Sequence, residues 1–131
     1  MSHSDTSVAV VDDDESLCRS MSRLLRAASF RPVVYASAEA FLADPAHPRF
    51  DCIVLDIQLD GMSGLELRQK LASFGDETPV IFITANDVPG VRAQARNAGC
   101  AGFFRKTDSG EAVLTAIRDA VNARAKTARR D

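Results

Sequence analysis

The chain has 131 residues, 46 % hydrophobic and 26 % charged, with a formal net charge of −2, which fits one globular domain and is too apolar for a disordered chain. The balance of charge lacks the basic excess of a protein that tracks a phosphate backbone. Three cysteines without CxxC spacing indicate neither a disulfide scaffold nor a thiolate metal site.

The amino-terminal MSHSDTS has no signal-peptide pattern and no segment reaches the length of a membrane span, so a cytoplasmic protein is expected. Residues 1–7 read as a flexible terminus, 8–122 as the domain, and 123–131 as a basic tail or the start of a linker. Val8 to Val11 is a β-branched apolar run that stops at Asp12, Asp13, Asp14 and Glu15, the pattern of a buried strand. Leu17, Met21, Leu24 and Leu25 then recur at helical spacing, with Arg19, Arg23 and Arg26 elsewhere on the wheel. Pro32 to Tyr35 predicts a second strand, and Ser37 the cap of a short helix through Leu42 that ends before Pro45.

Cys52 to Leu55 predicts a third strand, ending at Asp56. Gly61 and Gly64 flank a turn, and Ser63 with Glu66 has capping-box spacing ahead of a helix with Leu67 and Leu71 inward. Pro79 to Ile83 predicts a fourth strand ending at Thr84. After Asn86 and Asp87 comes a helix carrying Val91, Ala95 and Ala98. Ala101 to Phe104 predicts a fifth strand, followed by Arg105 and Lys106. Asp108 and Glu111 form a second capping-box pair for a last helix with Val113, Ile117 and Val121, which frays into the charged end.

Five strand–helix units with short connections predict an α/β fold with a five-stranded parallel sheet, doubly wound, (βα)5. Cys18, Cys52 and Cys100 read as reduced core thiols. Met21, Phe30, Phe41, Phe50, Phe74, Phe82 and Phe104 read as core or loop packing, and His3 and His47 have no partner suggesting a ligand role.

Such sheets bind ligands beyond the carboxyl ends of their strands, and Asp12, Asp13, Asp56, Thr84 and Lys106 all fall there. The chemistry that suits them is phosphoryl transfer to a carboxylate. Crowded carboxylates repel, and a hard divalent cation on oxygen ligands, Mg²⁺ or Mn²⁺, relieves them. Lys106 adds a second positive centre and the Thr84 hydroxyl a donor for a phosphoryl oxygen. Asp56 is the candidate nucleophile, because the adjacent acidic pair is better placed to hold the cation.

VVDDDES, IVLDIQLDGMSGLEL, VIFITA and AGFFRK, in this order and separation, resemble the response-regulator receiver family of two-component systems over about Val8 to Val121. The SAEAFL, LDGMSGLELRQKLA and VIFITAND stretches look most like its FixJ-type branch. The resemblance implies a flavodoxin- or CheY-like sheet of strand order 2-1-3-4-5 and phosphorylation of Asp56 by a histidine kinase or phosphotransfer protein. It implies that Mg²⁺ is held by Asp13, Asp56 and the Gln58 backbone carbonyl, with Asp12 acting through a water. It also implies a switch in which Phe103 follows Thr84, altering the face from about Val88 to Val121 for dimerisation or partner binding. The module is then regulatory, an enzyme only toward its own aspartyl phosphate. No membrane or direct nucleic-acid partner is implied for this segment, although FixJ-type receivers often precede a LuxR-type DNA-binding domain.

Two positions depart from the family. Thr107 stands where proline usually follows the lysine, often after a cis bond; without proline a trans bond and a differently shaped loop are expected. Asp60 stands where proline is usual after the phosphoacceptor. These changes motivate an alternative, a phosphorylation-independent pseudo-receiver that binds partners. A Mg²⁺-dependent aspartyl phosphatase is a further alternative, but Gln58 occupies the position of the second catalytic acid in the commonest form of that class. Asn86 and Asp87 lie in a loop that often tunes phosphoryl lifetime.

Overall fold

The structure, a computed structural model, describes residues 6–45, 49–85 and 89–129, with side chains to residue 125. Along the chain run β1 (Ser7–Val11), α1 (Glu15–Ala27), β2 (Arg31–Tyr35), α2 (Ala38–Ala43) and β3 (Cys52–Asp56). They are followed by α3 (Gly64–Ser73), β4 (Val80–Thr84), α4 (Val91–Asn97), β5 (Gly102–Arg105) and α5 (Gly110–Arg129). The strands form one sheet in the order β2-β1-β3-β4-β5, and every neighbouring pair is parallel. The alternating strand–helix pattern of the sequence thus produces the doubly wound fold it predicts.

Alternation along each strand divides the core in two. Val8, Val10, Cys52, Val54, Ile81 and Ile83 face α1 and α5, meeting Met21, Leu25, Val113 and Ile117. Ala9, Val11, Ile53, Leu55 and Phe82 face the other way, against Phe41, Leu67, Leu71 and Ala95 of α2, α3 and α4. The three central strands β1, β3 and β4 are buried on both faces, and their sequences are continuous apolar runs for that reason. Strand β2 lies at an edge. Arg31 N–H donates to the Thr6 carbonyl and the Tyr35 carbonyl accepts from Asp12 N–H, so the intervening Pro32 faces outward, where its missing N–H removes a donor from the open edge.

Three local expectations change. Helix α5 continues to Arg129 instead of fraying after Val121, because 122–129, NARAKTAR, contains neither Gly nor Pro and is rich in good helix formers. Asp108 does not join a capping box: its carboxylate turns back to accept from Arg105 N–H at 2.8 Å, and the Ser109 hydroxyl accepts from Glu111 N–H at 3.1 Å instead. Phe74 is 63 % exposed at the end of α3, not packed in the core. No helix among the described residues is long and apolar enough to cross a membrane.

Candidate functional site

The acidic run after β1 divides into three roles by burial. Asp14 caps α1, its side chain accepting from the N–H groups of Ser16 at 3.0 Å and Leu17 at 3.2 Å. Asp13 is exposed. Asp12 turns inward and is only 1 % exposed. Its Oδ1 accepts from Asp14 N–H at 2.8 Å, and the Cys18 thiol donates to its backbone carbonyl at 3.3 Å.

Asp56 ends β3, 2 % exposed, with Oδ1 accepting from Gln58 N–H at 2.9 Å. Its close approach to α3 depends on Gly64: a Cβ there would lie 2.2 Å from the Asp56 carbonyl oxygen, so no larger residue fits without moving backbone. Lys106 follows β5 and its N–H donates to the Thr84 carbonyl at 2.9 Å. That bond fixes where the lysine leaves the sheet. Its Nζ lies 3.0 Å from Asp12 Oδ2 and 3.2 Å from Asp56 Oδ2, bridging residues 94 and 50 positions away in sequence.

The carboxylates of Asp12, Asp13 and Asp56 bring one oxygen each within 4.8 Å of one another. Asp12 Oδ2 is buried and receives no hydrogen bond; the Lys106 ammonium pairs with it at 3.0 Å but donates its hydrogen bond to Oδ1. A buried anionic oxygen without a donor, among oxygen-only neighbours, is what a hard divalent cation satisfies, so the residues present fit Mg²⁺ or Mn²⁺. Electrostatics agree. Burial pushes Asp56 up to about 6; the Gln58 N–H pulls the other way, the Asp12 charge raises it further and Lys106 lowers it. For Lys106, burial favours the neutral amine, but the hydrogen bond to Asp12 and the charges of Asp56 and Asp12 outweigh it, and its pKa rises. The ammonium is therefore held charged between two carboxylates.

Thr84 is fully buried at the end of β4, the strand lying between those of Asp56 and Lys106. Phe103, paired with Phe82 across β4 and β5, is half-buried against the α2–α4 side of the core, and the Arg92 guanidinium sits 4.6 Å above its ring. Gln58 and Asp60 are exposed. No cis peptide bond occurs among the described residues, so Lys106–Thr107 is trans, and the lysine still reaches both carboxylates. Asn86, Asp87, Val88, His3 and His47 lie outside the described residues. Sequence reasoning passed over Gly64 as a backbone-contact position and Glu39, whose carboxylate accepts from Met62 N–H at 2.9 Å in the loop after Asp56. The second glycine in GMSGLEL was a signal for the first; nothing local signals the second.

Residues 8–118 match the family model of the response regulator receiver domain. This chain belongs to that family. The receiver is similar to response regulator protein TmoT of Ectopseudomonas mendocina, 36 % identical over 122 residues, covering 92 % of this chain and 55 % of TmoT. It is also similar to transcriptional regulatory protein FixJ of Azorhizobium caulinodans, 33 % identical over 125 residues, covering 95 % of this chain and 59 % of FixJ. Among solved structures, a response regulator receiver protein from Burkholderia phymatum superposes with a TM-score of 0.79 at 38 % identity, covering 90 % of this chain and 96 % of that one. The receiver thus spans somewhat over half the length of these curated relatives, and its place is among the regulatory modules of two-component systems rather than the metabolic enzymes.

Proposed function

We propose that this receiver takes a phosphoryl group onto Asp56 from a histidine kinase or phosphotransfer protein in the cytoplasm, with Mg²⁺ bound. The observation that carries the reading is Lys106 Nζ spanning Asp12 and Asp56 at 3.0 and 3.2 Å, beside three carboxylates clustered within 4.8 Å. In the step proposed, an Asp56 oxygen attacks the phosphorus of a phosphohistidine. The P–O bond forms as the P–N bond breaks, and the imidazole nitrogen keeps the electron pair and takes up a proton. Lys106 and the Thr84 hydroxyl then hold the phosphoryl oxygens.

Asp13, Asp56 and the Gln58 carbonyl would hold the cation, with Asp12 acting through a water; Mn²⁺ would serve in place of Mg²⁺. When bound, the cation supplies positive charge that offsets repulsion between the carboxylates and the incoming phosphoryl oxygens. Before transfer, Gln58 N–H orients Asp56 and the surrounding apolar core keeps bulk water from its inner side. Output is proposed to run through Thr84 and Phe103 to the α4–β5–α5 face, for homodimerisation or partner binding.

The phosphate-independent alternative rested on Thr107 and Asp60. A Lys106 that reaches both carboxylates although Thr107 follows it, and an Asp60 exposed to solvent, both support the phosphoacceptor reading over it. An aspartyl phosphatase of the commonest form would need a second acid where Gln58 stands. Intact-mass measurement after incubation with acetyl phosphate, with and without Mg²⁺, tests the proposal. A single phosphoryl adduct that needs Mg²⁺ and is absent from D56N is the expected result. Folded protein that gains no mass would overturn it.

A further inference from the structure

The loop between β3 and α3 carries Gln58, and it is fastened at both ends. Near Asp56, Gln58 N–H donates to Asp56 Oδ1 at 2.9 Å and Gly64 N–H donates to the Ile57 carbonyl at 3.0 Å. At the helix end, Ser63 N–H donates to Glu66 Oε1 at 3.1 Å. One residue before that end it is reached by a side chain from elsewhere in the fold. Glu39, in the first turn of α2, accepts from Met62 N–H through Oε2 at 2.9 Å, across 23 residues of sequence.

The adjoining residue is shaped for this approach. Gly61 adopts φ +76°, and a Cβ there would stand 2.8 Å from Glu39 Oε2. The left-handed backbone favours glycine there, and its missing side chain leaves room for the carboxylate that lies against it. The bond is charge-assisted, since a carboxylate accepts it from a backbone amide, and it holds Glu39 below its ordinary carboxylate pKa. Ser37 fixes the carboxylate's base by capping α2, accepting from Ala40 N–H at 3.0 Å.

We infer that Glu39 is a positioning residue: by clamping Met62 from α2 it holds the β3–α3 loop in the conformation that presents the Gln58 carbonyl, and so sets the affinity of the site for Mg²⁺. The inference rests on the reading of the site as a Mg²⁺-dependent phosphoacceptor. Glu39 touches neither cation nor phosphoryl group; it lowers the cost of ordering the loop before the cation arrives. A role through negative charge alone makes a different prediction, because glutamine keeps the acceptor oxygen and loses the charge.

The test is an NMR titration of metal-free, ¹⁵N-labelled wild type, E39A and E39Q with MgCl₂, preceded by amide exchange on the same samples. In E39A the Met62 amide exchanges faster without metal, and the Mg²⁺ dissociation constant rises roughly three- to tenfold, the size expected for the net loss of one solvent-exposed hydrogen bond. E39Q stays within about twofold of wild type. With acetyl phosphate, E39A reaches wild-type phosphorylation once Mg²⁺ is raised to saturation. An unchanged Mg²⁺ constant in E39A, or an E39Q as weak as E39A, overturns the inference while leaving the phosphoacceptor reading intact. A wild type whose amides do not respond to Mg²⁺ overturns that reading, and this inference with it.

Discussion

Helices α3 and α4 both follow strands that end in the site, β3 at Asp56 and β4 at Thr84, yet they begin in opposite ways. Helix α3 starts with a complete capping box, Ser63 and Glu66 exchanging bonds of 3.1 Å each, and Gly64 lies directly on the Asp56 carbonyl. Helix α4 starts at Gly90, φ +92°, with no side-chain cap and no acidic residue in its first turn; it is seven residues long and Ala95 is its only buried one. A cap contributes about 1 kcal/mol, and a first-turn acid a few tenths more. The wall that carries Asp56 is thus fixed on several independent points, and the wall beside Thr84 is held mainly by packing. The proposed function would use that asymmetry, because Asp56 would keep its geometry while an adjoining face moves at low cost.

The sharpest way to break the comparison is to put the same methyl group at each helix start. G64A places a Cβ 2.2 Å from backbone oxygen and 2.9 Å from backbone carbon, neither of which can rotate away. It should destabilise the fold by about 3 kcal/mol or more in urea unfolding. G90A meets no atom within 4 Å, and only the strain of φ +92° opposes it, about 1–2 kcal/mol. Equal losses at the two positions would mean that the two helix starts are equally constrained.

The fixed wall also stores a cost. Asp56 has its folded pKa raised to about 6, above an unfolded value near 3.9, because burial disfavours its charge. A raised carboxylate favours the folded state only while protonated: the contribution is complete below about pH 4 and is lost as pH rises through 6. Metal-free D56N escapes that loss. Its stability advantage over wild type should widen by about 1–3 kcal/mol between pH 4 and pH 7 in urea unfolding with chelator present. A gap that does not change over that range would show that Lys106 already neutralises Asp56 and that its burial is not strained. Added Mg²⁺ should narrow the gap by stabilising wild type.

The sheet was legible because its central strands are short, β-branched and buried on both faces, and because each ends abruptly at a polar residue. Asp12, Asp56 and Lys106 stood at three such ends, and the structure brings them together. Ser63 and Glu66 were readable as a cap because their spacing is local. The division of labour within Asp12, Asp13 and Asp14 was not: four successive acids look alike, and only burial against Lys106 tells the inward one from the helix cap. Glu39 and Met62 were silent for a related reason, since their bond joins segments whose register depends on the whole fold. Asp108 and Ser109 both suit a helix start, and the choice turned on a bond from Arg105 N–H that no spacing rule contains.

The smallest expected effect lies on the looser wall. Arg92, exposed on α4, is 4.6 Å above the Phe103 ring, a contact worth about 0.5–1 kcal/mol at such a site. R92A should therefore lower the melting temperature by only a few degrees, while broadening or shifting the Phe103 ring resonances in metal-free protein as the ring gains access to other rotamers. R92K should fall between R92A and wild type, because an ammonium keeps the attraction to the ring face but not the flat stacking of a guanidinium. The size of the change decides the comparison. A loss approaching that of G64A would make Arg92 and Phe103 a fastening as strong as any on the α3 side, and the α4 wall would then be no freer to move than the wall that carries Asp56.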